Sequence, residues 1–452
     1  MAMGTRQDEQ PPLWIATSDL PTAPGHPFYA QLNTVLDAAG FDAFVEAECR
    51  RFYAAVMGRP GLAPGRYFRL LLLGYFEGLG SERGIAWRAA DSLAIRRFLH
   101  LGLEDGTPDH STISRTRRLI DVETHRAVFT WVQTQLVAHG LRRGETVAVD
   151  ATTLEANAAM RSIVRRDTGE TYQAYLTQLA AASGITTPTR EALARFDRRR
   201  KKRSSNQDWT HPHDPDAKIT KMKDGRTHLA HKAEHAVDVD SGAVVSVRLD
   251  GADVGDATTV IDTVVDATTQ LERAGAPHHL DDLIGDKGYH SNRALIDLDA
   301  LSVRAYIAEP DRGRRCWRAL PDAQALVYAN RRRLRGARGG RLRRQRAEYV
   351  ERSFAHLYET GAMRRTHLRG HQNILKRLLV HAGAFNLGLI MRQRIGHGTP
   401  RGFQGRLGVL AGVLTALAGL LADRWVVLPG TEPVSMPLPP DTIDDLAAAM
   451  PA

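Results

Sequence analysis

Three carboxylates stand at places where this sequence is otherwise apolar or basic. Asp286 follows the apolar run of LIGDKGYHS (283–291), and Asp150 follows TVAV in TVAVDATTLEA. Glu351 lies in YVERSFAHL, where Val350, Phe354 and Leu357 give an apolar helical stripe. A carboxylate at the end of a buried strand is costly unless something positive sits against it. Three of them within a few ångströms cannot all stay ionised without compensation. Hard divalent cations with oxygen ligands, Mg²⁺ or Mn²⁺, supply it. Two such ions about 3.5–4 Å apart activate a water or a 3′-hydroxyl and stabilise the leaving oxygen of a phosphodiester. Each carboxylate also has a purely structural reading. Asp150 could cap ATTLEA, Asp286 could accept from the Gly288 turn, and Glu351 could pair with Arg346 or Arg352. Glu348, one turn earlier, competes with Glu351, and Asp281, Asp282 and Glu155 lie close by in sequence.

The charge distribution points to a polyanion partner. The net charge is +10, yet two acid-free runs supply more than that: RRRKKR, which is Arg198, Arg199, Arg200, Lys201, Lys202 and Arg203, and RRRLRGARGGRLRRQR (331–346), with nine arginines. Without them the chain is slightly acidic. Basicity concentrated in this way is the footprint of a nucleic-acid partner, against the alternative of a solvated loop. Lys221, Lys223 and Arg226 in KMKDGRTH stand just before a strand pattern and could guide a DNA backbone.

These residues need elements to hold them. With 452 residues the chain exceeds one hydrophobic core, so two or three domains are expected. Residues 1–27 read as a loose arm and 28–141 as helical. Within the latter, STISRTRRLI opens with a capping signal at Asp109 or Ser111 and is expected to expose Ser114, Arg115, Arg117 and Arg118. A helix, a turn and a polar-basic helix is the helix-turn-helix order, although any small bundle can show it. At Glu145 the period changes, and TVAVD reads as a strand ending near Asp150. Residues 156–227 look like a helical, basic insertion. HLAHKAEHAVDVDSGAVVSVRLDG (228–251) reads as a hairpin turning at 240–242, followed by helix, strand, helix, strand and two more helices. That order implies an α/β fold, a mixed sheet with helices on both faces.

Two cysteines, Cys49 and Cys316, exclude a disulfide framework and suggest a reducing cytoplasm. The polar start shows no signal-peptide pattern. The uncharged run 407–422 falls short of the roughly 20 residues that span a bilayer, so a buried or partner-facing helix is expected there. HPHDPD and HLAHKAEH gather His211, His213, Asp214, His228, His231 and His235, but without a supporting cysteine a zinc site is disfavoured. His290 reads as a phosphate or water contact.

From about residue 28 to 395 the chain resembles the DDE transposases of bacterial insertion sequences, in the branch related to the hairpin-forming cut-and-paste enzymes. The resemblance is carried by VAVDATTLEANA, TKMKDGRTHLAHKAEHAVDVDSGAVV, LIGDKGYHS and RAEYVERSFAHLYETGAMRRTHLRG. It implies an RNase H-like catalytic domain over 142–395, preceded by an all-helical, DNA-binding domain over 28–141 and followed by an apolar helix and tail over 396–452. It implies an acidic triad and metal ligands at Asp150, Asp286 and Glu351. The family signature also has an Arg four residues before the Glu and a Lys seven after it; here those positions hold Ala347 and Tyr358. Arg346 or Arg352 could replace the Arg, and Arg364 or Arg365 the Lys; Lys287 joins them as a DNA contact. The implied function is cut-and-paste transposition by two Mg²⁺ (or Mn²⁺) ions, by a cytoplasmic homodimer on paired DNA ends. The alternatives are a metal-dependent nuclease that cuts without joining and a non-catalytic DNA-binding regulator.

Overall fold

Capping and apolar spacing together set the helical N-terminal part. In the computed structural model, described over residues 26–404 except 55–57, 59–60, 143, 186–188, 200–204, 223, 312, 314 and 319, it holds seven helices. They are α1 (Pro27–Ala38), α2 (Phe41–Cys49), α3 (Pro64–Glu77), α4 (Glu82–Ala90), α5 (Leu93–Phe98), α6 (His110–Leu119) and α7 (Val122–Ala138). Ser81, Ser92, Asp109 and Asp121 each cap a following helix through a side-chain oxygen, satisfying amides that the first turn leaves free.

The remainder is built on a mixed sheet. Its elements are β1 (Thr146–Glu155), β2 (Val164–Arg165), α8 (Tyr172–Ala182), α9 (Arg190–Arg199), β3 (Trp209–Thr210), β4 (Lys218–Lys221), β5 (Thr227–Asp238), β6 (Val244–Gly251), α10 (Asp256–Arg273), β7 (Asp282–Gly285), α11 (Asn292–Ala300), β8 (Arg304–Ile307), α12 (Pro321–Arg335), α13 (Ala337–Phe354) and α14 (His371–Ile395). Strands run in the order β6-β5-β1-β7-β8, with β4 pairing the first residues of β5 on the same side as β6. β1 is antiparallel to β5 and parallel to β7, and β7 is parallel to β8. The β5–β6 hairpin turns through Gly242 at φ +75°, a conformation an L side chain adopts only with strain.

Alternation along β1 divides the core. Val147 and Val149 face a cluster with α10 and α11, while Ala148 and Leu154 join a larger cluster shared with α1–α7, α13 and α14. The helical N-terminal part therefore packs on one face of the sheet and shares its apolar core. α14 is long and apolar enough to cross a membrane by composition, but it is buried against α3, α7 and β6 as the central helix of that core.

Two expectations need correction, and two further features emerge. β1 does not end near Asp150 but runs to Glu155, because β5 continues beside it to Ala230. The insertion is not simply helical: it also holds the small β2–β3 ladder around Trp209 and β4 on the sheet edge. The arginine-rich run is itself helical, the end of α12 and the start of α13, since arginine is a good helix former when exposed. Finally, α13 continues into a π-helical turn over Ala355–Thr360. The run at 407–422 lies outside the described residues, as does most of the N-terminal arm.

Candidate active site

Two of the carboxylates meet at a break in the sheet. Thr146, Val147 and Ala148 of β1 pair with Asp282, Leu283 and Ile284 of β7; continuing that register sets Asp150 opposite Asp286. Neighbouring strands are about 4.8 Å apart, so the extended register brings Asp286 beside Asp150 although the pairing itself ends at Ala148 and Ile284. β7 stops at Gly285 and turns away through Lys287–Tyr289, leaving β1 at Asp150 paired with β5 alone; Glu155 further on bridges to Arg365. Asp150 is therefore the first incompletely buried residue of its strand. A parallel sheet opens a crevice at such C-terminal strand ends, and ligands bind there. Asp286 caps its own turn, accepting from Gly288 N at 2.8 Å, as the structural reading expected.

Asp150 is held from α13. Arg346 Nη2 donates to Asp150 Oδ2 at 2.6 Å and Nε to the Val149 carbonyl at 3.3 Å. Burial raises the Asp150 pKa above the usual carboxylate range; Arg346 and the Ala151 amide oppose this, while the charges of Asp286 and Asp256 add to it. Arg352, by contrast, pairs with Glu348 on its own helix. Glu351 is exposed, and among the described residues its side chain has no hydrogen-bond or ion-pair partner.

The three carboxylates are not drawn together as tightly as a closed coordination sphere. Among the described residues, the one set of three possible ligands with donor atoms all within 4.8 Å is Asp37, Asp42 and His100. The buried Arg69 guanidinium already neutralises it, at 2.7 Å from Asp37 and 2.8 Å from Asp42. The donor chemistry at Asp150 and Asp286 nevertheless fits a hard divalent cation: the donors are carboxylate oxygens, and one of them is desolvated beside other negative charges. The competing carboxylates have other duties. Asp282 is fully buried between Arg304 and Arg338, Asp281 faces Arg304, and Glu155 lies 3.7 Å from both His228 and Arg365.

Several basic residues are placed differently from expectation. Arg117 is not on an exposed side of α6: it is 8% exposed, bonded to Glu82 at 2.7 Å, Asn373 at 2.6 Å and Ser114. Its guanidinium joins α6 to α4 and α14, so Arg117 is not free for DNA; Ser114 is half-buried and accepts from it. Arg115 and Arg118 are exposed. Arg198, Arg199, Lys221, Arg226 and Lys287 are exposed as well, whereas Arg200, Lys201, Lys202, Arg203 and Lys223 lie outside the described residues. In the arginine-rich run, Arg331, Arg333, Arg338 and Arg346 are tied to acids or carbonyls of the sheet domain. Arg332, Arg335, Arg341, Arg343 and Arg344 are exposed and, among the described residues, unpaired. Arg364 pairs with Glu359.

The histidine motifs have structural roles. Asp214 Oδ1 and Asp216 Oδ2 accept from Gly370 N and His371 N at 3.1 and 2.9 Å, so HPHDPD caps α14 from across the fold. His235, the β5 residue opposite Asp150, is fully buried between Ser353 Oγ at 3.0 Å and Tyr358 Oη at 2.6 Å, and burial lowers its pKa to about 3. Tyr358, where the family signature has Lys, thus faces the core and fastens α13 to the sheet. His290 is buried rather than open to phosphate. Sequence reasoning missed Asp256, whose charge reaches Asp150; it lies after the hairpin, in the first turn of α10, with no local signal marking it.

The strand order, with β6 and β5 antiparallel and β1, β7 and β8 parallel, is that of an RNase H-like domain. A family model described as "Transposase domain (DUF772)" matches residues 18–119, and one described as "Transposase DDE domain" matches residues 206–387. The second spans Asp286 and Glu351 but begins beyond Asp150, whose assignment rests on the register with β7. No curated protein matches the chain. Helical N-terminal part and sheet domain each carry a transposase signature, and the chain belongs to the DDE transposases of insertion sequences, a divalent-metal-dependent family that acts on DNA in transposition.

Proposed function

We propose that this chain cuts at the ends of its own element and joins them to new DNA, with Asp150, Asp286 and Glu351 as the catalytic carboxylates. The observation that carries the reading is the β1–β7 register, which leads Asp150 and Asp286 to adjacent strand ends, with the charge of Asp286 acting on Asp150. These carboxylates would hold two Mg²⁺ or Mn²⁺ ions, which supply charge stabilisation and an activated oxygen nucleophile at the scissile phosphodiester. The chain's own residues do the positioning. The register of β1 with β7 brings Asp150 and Asp286 to neighbouring strand ends, and α13, whose Arg346 bonds Asp150, supplies Glu351. Glu351 is preferred to Glu348 because Glu348 is engaged by Arg352 and Glu351 has no competing partner among the described residues. Arg346 balances Asp150 and stands where a phosphate would approach. The exposed arginines of α12 and α13, with Arg198 and Arg199, lay a cationic surface for the DNA backbone, and Arg115 on α6 is the base-reading candidate. The working form is a cytoplasmic homodimer on paired ends.

The test is an in vitro reaction with DNA carrying both element ends and a supercoiled target. Joined products in Mg²⁺ or Mn²⁺ support the proposal. Ca²⁺ should permit assembly but little chemistry, because its larger and looser shell positions the reacting oxygens poorly. Cutting without joining would favour the nuclease reading, and full activity in excess chelator would end the metal reading.

A further inference from the structure

The remaining charge at the site points to a further ligand. We propose that Asp256 is a fourth carboxylate of the metal centre, held by Lys232 so that its free oxygen faces the ion bound at Asp286. This rests on the metal reading of Asp150 and Asp286 given above. Asp256 Oδ1 accepts from Lys232 Nζ at 2.7 Å. Lys232 is almost wholly buried, and its ammonium also lies 3.0 Å from Thr259 Oγ1, 3.4 Å from the Val254 carbonyl and 3.5 Å from Glu234 Oε2. Glu234 is in turn fully buried and accepts from Thr259 at 2.7 Å, from Tyr289 at 3.0 Å and from Thr263. An ammonium fixed by so many oxygens does not follow the carboxylate; it sets where the carboxylate stands.

The second oxygen of Asp256 faces the Asp286 turn. A β-carbon at Gly288 would lie 2.6 Å from Asp256 Oδ2 and 3.0 Å from Asp286 Oδ1, so the two oxygens are less than twice the longer distance apart. Asp256 and Asp286 therefore turn carboxylate oxygens toward the same turn. Gly288 leaves the space between them open. Charge supports the same conclusion. With all four ionised, the carboxylates of Asp150, Asp286, Asp256 and Glu234 face the two cations that bond to them, Arg346 and Lys232. That excess of two negative charges, three with Glu351, calls for divalent cations at this site. A simple anchor for α10 would need no such excess, because Glu234 alone balances Lys232.

Mn²⁺ titration of the full-length chain without DNA, read from the electron paramagnetic resonance of free Mn²⁺, tests this. Asp256→Asn should weaken Mn²⁺ binding at least about tenfold. It should melt within a few degrees of wild type in chelator, because the Asn oxygen still accepts from Lys232. Wild-type affinity in Asp256→Asn, with binding lost in Asp286→Asn, overturns the assignment of Asp256 alone. Wild-type affinity in Asp286→Asn overturns the metal reading itself. Should Asp256→Asn fail to fold, Asp256→Glu carries the test: its longer carboxylate should change the affinity at least threefold, and an unchanged affinity overturns the proposal.

Discussion

Arg346 and Arg352 sit six residues apart on one helix and do different things. Arg346 reaches across to Asp150, whereas Arg352 neutralises Glu348. This difference separates the two candidate acids on α13. Glu351→Gln should abolish cleavage of end DNA while leaving DNA binding within about twofold, since a metal ligand is lost and no phosphate contact. Glu348→Gln, which breaks an exposed pair worth about 0.5 kcal/mol, should leave the rate nearly unchanged. Rates measured on both variants at saturating Mg²⁺ decide this, and a dead Glu348→Gln with a live Glu351→Gln would move the third ligand by one turn. The histidine opposite Asp150 offers a second test. The folded chain holds His235 and His125 neutral, with pKa values lowered by burial from 6.5 to about 3. Between those values the unfolded chain binds protons that the folded chain refuses. Stability is therefore full above about 6.5 and falls as pH drops, by about 1.4 kcal/mol per unit for each such group. Urea midpoints should decline from pH 7 to pH 5, and His235→Asn should decline less steeply. An equal slope would mean that His235 already takes up its proton in the folded protein.

At the scale of elements, β7, α10, α11 and β8 were legible because apolar runs and turn residues mark them unambiguously. LIGD followed by Lys-Gly reads as a buried strand and its exit, and Asp286 was found through it. The far half of β1 was hidden because Asp150 interrupts its apolar run; β5 holds it in strand, with Glu155 also bridged to Arg365. The helical state of the arginine run was hidden too, because exposed arginines give it no strong apolar stripe. Neither Arg117 nor Asp256 could be placed from spacing alone, since each is defined by partners far away in sequence. The trans cap of α14 belongs to the same class, and it is testable. Asp216→Ala removes the acceptor for His371 N and should cost about 1 kcal/mol, read as a lower urea midpoint at constant m-value. No loss would mean that Asp214 alone satisfies the helix start.

Across the whole molecule, helical part and sheet share one core, so α6 and the β1–β7 crevice are parts of one packed body. Its cations divide into those spent on internal acids and those left on the surface of α12 and α13. Replacing Arg341, Arg343 and Arg344 with Gln should therefore reduce the salt dependence of binding by about 0.9 log units per log unit of salt for each phosphate contact removed, equally on end DNA and random DNA. Replacing Arg115 should weaken end DNA more than random DNA, if α6 reads bases. Titrations at several salt concentrations check both; an unchanged slope in the triple variant would take α13 out of the DNA surface. Everything in this account, however, turns on the pairing of Asp150 and Asp286 at the ends of β1 and β7. The most direct measurement is cleavage of end DNA in Mg²⁺ by Asp286→Asn, with binding measured in parallel. Losing a metal ligand removes several kcal/mol of transition-state stabilisation, so the account predicts a rate at least about a hundredfold lower with DNA affinity retained. Cleavage by Asp286→Asn at the wild-type rate would contradict it.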